Sequence, residues 1–169
     1  MNATLDNTIA EVDALLKRVH MNFTDDSWRR VIPAEPGWYL ITTNTPIDVL
    51  KSIGSPKYPA HIDIPQSIKN VSVLYILGLA IKQAKDEDWV VYNGEAENLK
   101  ARAREHEKGH PKTYCLGLSN YSALRTYQWS FCYTPISSCK NLNNGDKLLR
   151  LVVEQGWRVK HGWPILCSK

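Results

Sequence analysis

The stretch YNGEAENLKARAREH, Tyr92 to His106, decides how the rest of the chain is read. It opens on the end of a short strand, Asp88-Trp-Val-Val-Tyr-Asn93, whose aromatic and β-branched residues suit a pleated surface and which stops at Gly94. A helix is predicted directly after it, from Glu97 to Lys108, with Leu99, Ala103 and either His106 or Glu107 along one side. Gly109 supplies the left-handed stop that helix ends favour. Lys100, Arg102, Arg104, Lys108 and Lys112, with His106 and His110 interleaved, form the densest basic cluster. From Val90 onward the chain holds 12 Lys+Arg against 6 Asp+Glu, whereas the first 89 residues hold 9 against 11. A patch of this kind suits a polyanion such as nucleic acid. It also suits a solvated helix face, since Glu105 and Glu107 lie in the same run.

Toward the N-terminus, Gly37-Trp-Tyr-Leu-Ile-Thr-Thr43 reads as another strand. Between the two strands, Pro46 to Pro65 carries four prolines and is expected to be irregular, and Ser67 to Lys85 fits either a helix or a strand plus helix. Further back, Ile9, Val12, Leu16 and Val19 recur at helical spacing and predict one amphipathic helix from Thr4 to His20, with a break near Asn22–Asp26. Toward the C-terminus, Ser119 to Tyr127 is expected to be a short helix, and Gln128-Trp-Ser-Phe-Cys-Tyr133 alternates as a half-buried strand. A turn at Asn143-Asn144-Gly145-Asp146 then caps a last helix, Lys147 to Gln155. The expected architecture is a small α/β (α+β) domain: a short central antiparallel sheet flanked by helices. Residues 1–169 form one domain, with an N-terminal helical arm (1–22) and a core (37–167) interrupted by an insertion (44–87).

Composition narrows the function classes. With 169 residues, 43% hydrophobic, six Trp and eight Tyr, the chain has the apolar bulk for one core and is not a disordered segment. The longest apolar run, Val73 to Ile81, is too short for a membrane span of ~20 residues. No basic start followed by a hydrophobic run suggests a leader. Cys115, Cys132, Cys139 and Cys167 contain no C-x-x-C pair, which disfavours structural zinc and suggests reduced thiols in a cytoplasmic protein.

Taken in order, Gly37-Trp38-Tyr39, Tyr92-Asn93-Gly94 and the helix bearing Arg102 and His106 resemble the signature of the GIY-YIG nuclease superfamily. Two tyrosine-bearing strands are followed by a helix with an arginine eight residues after Gly94 and a histidine one turn later. Glu154-Gln-Gly-Trp157 through Trp163-Pro164-Ile-Leu-Cys167 resembles the later block, in which that family carries a glutamate on a helix. Trp38, Asn93 and Cys167 depart from the usual residues, and about fifty residues separate the two tyrosines. Tyr75-Ile76-Leu77-Gly78 mimics the second motif but lacks the arginine helix after it.

The resemblance implies a Mg²⁺-dependent endonuclease, with Mn²⁺ as an alternative, that hydrolyses phosphodiester bonds, DNA before RNA. With little room for a targeting domain, it implies a compact restriction, defence or phage-type enzyme. A double-strand cut would need a homodimer or two successive nicks. By the same resemblance Tyr39, Tyr92, Arg102, His106 and Glu154 are catalytic. Arg102 would grip phosphate oxygens with a permanently charged fork, and Glu154 would hold one Mg²⁺, with Asp146 its rival as metal ligand. Tyr39, of ordinary pKa ~10, would act as base or relay once Arg102 or the metal lowered that value, or His106 took its proton. Tyr92 would orient water or phosphate. Lys100, Arg104 and Lys108 would bind the nucleic-acid backbone. Each also has a plainer reading: core tyrosines, an arginine paired with Glu105, a helix-end histidine and a surface glutamate. Two other functions remain open, a non-catalytic nucleic-acid-binding module on the same fold and a protein-docking domain built on Trp157 and Trp163.

Overall fold

A computed structural model describes residues 3–84, 87–140 and 146–167. Strands β1 (Lys17–His20), β2 (Gly37–Thr43), β3 (Trp89–Ala96) and β4 (Trp129–Pro135) form one antiparallel sheet in the order β1-β4-β2-β3. The helices are α1 (Ala3–Ala14), α2 (Ile47–Ser52), α3 (Ile64–Asn70), α4 (Ser72–Ile76), α5 (Leu99–Lys108) and α6 (Lys147–His161). The fold is therefore mixed α/β, as expected. Among the described residues no helix is long and apolar enough to cross a membrane.

Strand β2 organises the layers, because alternate side chains point to opposite faces. Trp38 and Leu40 meet Ile9 and Val12 of α1 and Val153 and Trp157 of α6. Tyr39 and Ile41 join the larger core with Leu99 and Ala103 of α5, Phe131 of β4, and Leu50, Ile64 and Ile68 of the insertion. Opposite β2, Ile41 pairs with Tyr92 but Thr42 with Val90, so Val91 is an extra residue. That bulge lets both Val91 and Tyr92 pack into the same core. The outer edge of β3 is also covered. Leu166 N–H donates to the Val91 carbonyl (2.9 Å), Asn93 N–H to Cys167 Sγ (3.4 Å) and Glu95 N–H to a Glu154 carboxylate oxygen (3.0 Å). Pairing these groups removes a free strand edge.

Several sequence expectations need correcting. The single helix expected over Thr4–His20 ends at Ala14, and Lys17–His20 is instead β1, in register with Ser130–Tyr133. Only Ile9 and Val12 of the expected stripe are buried against α6; the four residues after the turn gain a full ladder on β4. Lys17–His20 thus join the sheet at its β4 edge. Pro46–Pro65 is not irregular throughout: Pro46 precedes α2, and Pro65 occupies the first turn of α3 behind the Asp63 cap. Proline there starts helices, because its missing N–H has no helical partner to lose. Of the stretch left open, Ser67–Asn70 finish α3 and Ser72–Ile76 form α4, with Lys85 outside the described residues. Ser119–Tyr127 is two 3₁₀ turns, Leu118–Asn120 and Ser122–Thr126.

Helix α6 runs six residues past its expected end, to His161, straight through Gly156. A Cβ there would lie 3.0 Å from Ile9 Cδ1 and 3.2 Å from Leu5 Cδ2, so the glycine lets α1 approach closely. Asp146 caps the helix through Leu148 N–H at 3.0 Å, while Asn143–Gly145 of the expected turn lie outside the described residues.

Glycine positions give a stability test. A Cβ on Gly37 would run into the Thr134 carbonyl oxygen and come within 2.7 Å of Leu99 Cδ1, whereas one on Gly54 meets nothing within 4 Å. Gly37→Ala is expected to cost ~1–3 kcal/mol in chemical denaturation. Gly54→Ala is expected to be neutral or to stabilise by up to ~1 kcal/mol.

Candidate active site

Tyr39 on β2 pairs directly with Gly94 on β3. Gly94 leaves a slot for the tyrosine ring: a Cβ there would lie 2.5 Å from the Tyr39 hydroxyl and 2.7 Å from Cζ. Helix α5 lies beneath this slot. Its start is fixed by Asn98, whose side-chain oxygen accepts Ala101 N–H (2.9 Å), and by Leu99 and Lys100 N–H donating to the carbonyls of Glu35 and Pro33. The spacing of one helical turn then brings Arg102 and His106 to the same phenol oxygen.

Arg102 Nε–H donates to Tyr39 Oη at 2.9 Å, and His106 Nε2 lies 2.9 Å from the same oxygen. The His106 tautomer follows from its other side, where Nδ1 accepts Leu116 N–H at 3.3 Å. The ring proton is therefore on Nε2 and points at Tyr39. Tyr39 Oη thus receives two N–H donors, one of them charged. Arg102 is steadied further by Glu105 (2.8 Å) and the Tyr114 carbonyl (2.8 Å). Its five N–H groups leave about two for a ligand. The Tyr92 ring packs 6.1 Å from Tyr39 and 4.9 Å from His106, centroid to centroid.

Burial sets the protonation states. Tyr39 is 1% exposed, and desolvation pushes its pKa up to about 12 despite the Arg102 charge and hydrogen bond pulling down. Of the routes expected to free the phenol proton, the Arg102 charge by itself leaves the phenol above its ordinary value. Burial likewise holds Tyr92 well above its ordinary value. His106 is completely buried, and desolvation, then the Arg102 charge, holds its pKa well below the usual histidine range. It stays neutral at neutral pH, with its ring proton directed at Tyr39. Burial opposes the Arg102 charge, yet Tyr39, Tyr92 and Glu105 outweigh it and keep the guanidinium protonated.

Glu154 reaches the rim of this cluster from α6, close enough for its charge to act on Tyr39, Tyr92 and Arg102. One carboxylate oxygen accepts Glu95 N–H and the other pairs with Arg158. Burial raises its pKa, while Arg158 and the backbone bond favour the anion. Arg158 is held in turn by Asn93 Oδ1 (2.7 Å) and lies 5.0 Å over the Trp163 ring. Asp146, the rival ligand, is exposed at the α6 cap, eight residues or ~12 Å along the helix from Glu154.

The metal question turns on the donor set. Among the described residues no group of three or more His, Cys, Asp or Glu is placed to hold an ion. Glu154 has one partner on each oxygen, and a carboxylate offers about four lone-pair sites, so one position per oxygen remains. A Mg²⁺ there would be held through this one carboxylate, with water and phosphate as its other ligands.

The remaining predicted residues lie elsewhere. At about 100° per residue, Arg102 and Glu105 flank one side of the buried stripe of α5, and Lys100 and Arg104 flank the other. Lys108 is paired with Glu107 and Asp26. Trp157 is a core residue whose indole N–H donates to Asp13 (2.8 Å), so it offers no docking surface. The sequence reading did not single out Arg158, although its i,i+4 spacing from Glu154 signals the pair. The Tyr114 and Leu116 backbone groups left no such signal.

The neutrality of His106 has a measurable consequence. The unfolded chain takes up a proton near the ordinary ~6.5, but the folded protein refuses it. The contribution is fully present above that value and is lost as the pH falls below it. His106→Gln lacks this group, so its Tm deficit relative to the unsubstituted protein should shrink between about pH 8 and about pH 5. A constant deficit would show that His106 protonates freely in the fold. No protein-family model matches this chain, and neither a curated protein nor a solved structure does.

Proposed function

We propose that this chain is a Mg²⁺-dependent endonuclease of the GIY-YIG type that hydrolyses phosphodiester bonds, most readily in DNA. The observation that carries the reading is the phenol oxygen of Tyr39, which collects N–H donors from Arg102 and His106 at 2.9 Å each. A buried core tyrosine needs one partner at most. Two donors, one cationic, stabilise the oxygen best when it is an anion. The antiparallel pairing of the tyrosine strands and the approach of Glu154 from the opposite layer support the same reading.

Cleavage needs a deprotonated water and neutralisation of the charge that builds on phosphate. Arg102 supplies the second through the N–H groups left by Tyr39, Glu105 and Tyr114. Tyr39 supplies the first only as phenolate. With a pKa of about 12, ionisation at pH 7 costs ~7 kcal/mol, so the phenolate forms transiently, its proton passing to a solvent hydroxide that becomes water. His106 and Arg102 then hold the oxygen while it takes a proton from water. Mg²⁺ bound at Glu154 would contribute charge neutralisation and a more acidic water.

One observation favours the non-catalytic nucleic-acid-binding module instead: both Glu154 oxygens already have partners, and one of them caps the sheet edge. Incubating supercoiled plasmid with the purified protein separates the two readings. Nicking or linearisation is expected with Mg²⁺, abolished by chelation and lowered ~10²–10³-fold by Arg102→Ala. Between about pH 7 and about pH 9 the rate should rise close to tenfold per unit, without an inflection near 6.5. Binding without cleavage of plasmid, single-stranded DNA or RNA would establish the module.

A further inference from the structure

On the flank of α5 away from Tyr39, the helix and the 3₁₀ turn Asp26–Val31 enclose an open groove of about 450 Å³. Arg30, Lys100 and Arg104 line it, all exposed. Among the described residues none of the three is in an ion pair. The other charges beside the groove neutralise one another: Arg29 is paired with Asp26 and Glu107, and Lys108 with the same two carboxylates. Glu107 is fully buried and Arg29 nearly so; Arg30 also acts on the exposed Asp25, and the rim still keeps an excess of positive charge.

We propose that this groove holds the backbone of the uncut strand of a duplex whose other strand lies at Arg102 and Tyr39. The proposal rests on the nuclease reading and adds to it a second backbone contact, on the flank of α5 away from Tyr39. Lys100 and Arg104 stand one helical turn apart, with Arg30 lining the same groove from the 3₁₀ turn, so three cations from two elements share one open groove. Three cations spread along an open groove suit several backbone phosphates better than one small anion, and exposed long side chains suit contacts that ignore sequence. The helix between the two flanks is ~10–12 Å across with its side chains, which matches a B-form major groove ~12 Å wide. Its crest carries Ala101, small enough to let the helix settle between two backbones.

The test measures binding of one short duplex, and of a single strand of the same sequence, across a salt series without added metal. Arg30→Ala/Lys100→Ala/Arg104→Ala should weaken duplex binding and make its log K–log salt slope shallower by about 3, while single-strand binding changes less. Lys51→Ala/Lys57→Ala/Lys69→Ala removes the same charge from the insertion and should leave the slope unchanged. Arg30→Lys/Arg104→Lys should keep the slope, which guards against misfolding as the cause. An unchanged slope in the groove variant, or equal losses on duplex and single strand, would overturn the proposal even if plasmid is cut. A slope change in a protein that cuts no plasmid would uphold the groove and fail the nuclease reading alone.

Discussion

Strand β2 has neither a free edge nor a free face, and the rest of the chain is arranged to meet that constraint. β3 and β4 pair with it along both sides over Gly37–Thr43. α1 and α6 cover Trp38 and Leu40; α5 and the insertion cover Tyr39 and Ile41. A tyrosine at such a position must bury its ring and still satisfy its oxygen, because an unpaired buried hydroxyl costs ~1–3 kcal/mol. Gly94 makes room for the ring, and α5 delivers two donors where one would satisfy the group. The surplus marks the place where burial alone does not explain the arrangement.

The opposite layer solves a different problem with charge. Arg150 and Arg158 are almost fully buried on α6, and each faces carboxylates: Glu95 and Glu97 for the first, Glu154 for the second. Removing one partner of such a pair leaves an uncompensated buried charge, which is far more costly than the pair is worth. Glu154 consequently serves the fold whatever else it does, since it closes the edge of β3 and neutralises Arg158. Arg102 differs in keeping 17% of its side chain exposed and N–H groups in reserve. The solvent-open N–H groups therefore lie on the α5 side, and the carboxylate approaches them from the rim.

Local patterns were legible where short-range physics decides. The strand at Gly37–Thr43 and the helix behind Asn98 follow from residue type and capping, and their bounds agree with expectation to within two residues. Legibility failed where a distant partner overrode the local signal. Val19 continues a helical stripe, yet β4 offers its segment a ladder. Gly156 argues against helix, yet Leu5 and Ile9 fill the space it leaves. The prolines between 46 and 65 read as breakers, although Asp63, two residues before Pro65, is the local mark of a helix start.

Tyr39, Tyr92, Arg102 and His106 came forward as one group through the resemblance; the turn from Arg102 to His106 is short-range geometry, whereas β2 and β3 pair across the whole insertion. Their protonation states did not come forward with them. A phenol pushed to about 12 and a histidine kept neutral are products of burial, and burial is created by the insertion and by α5 closing over β2. The basic cluster divides in the same way. The sequence sets its charge, but only the packing of α5 against the sheet decides that Arg102 and Arg104, two residues apart, serve opposite flanks, since a helix turns about 200° between them.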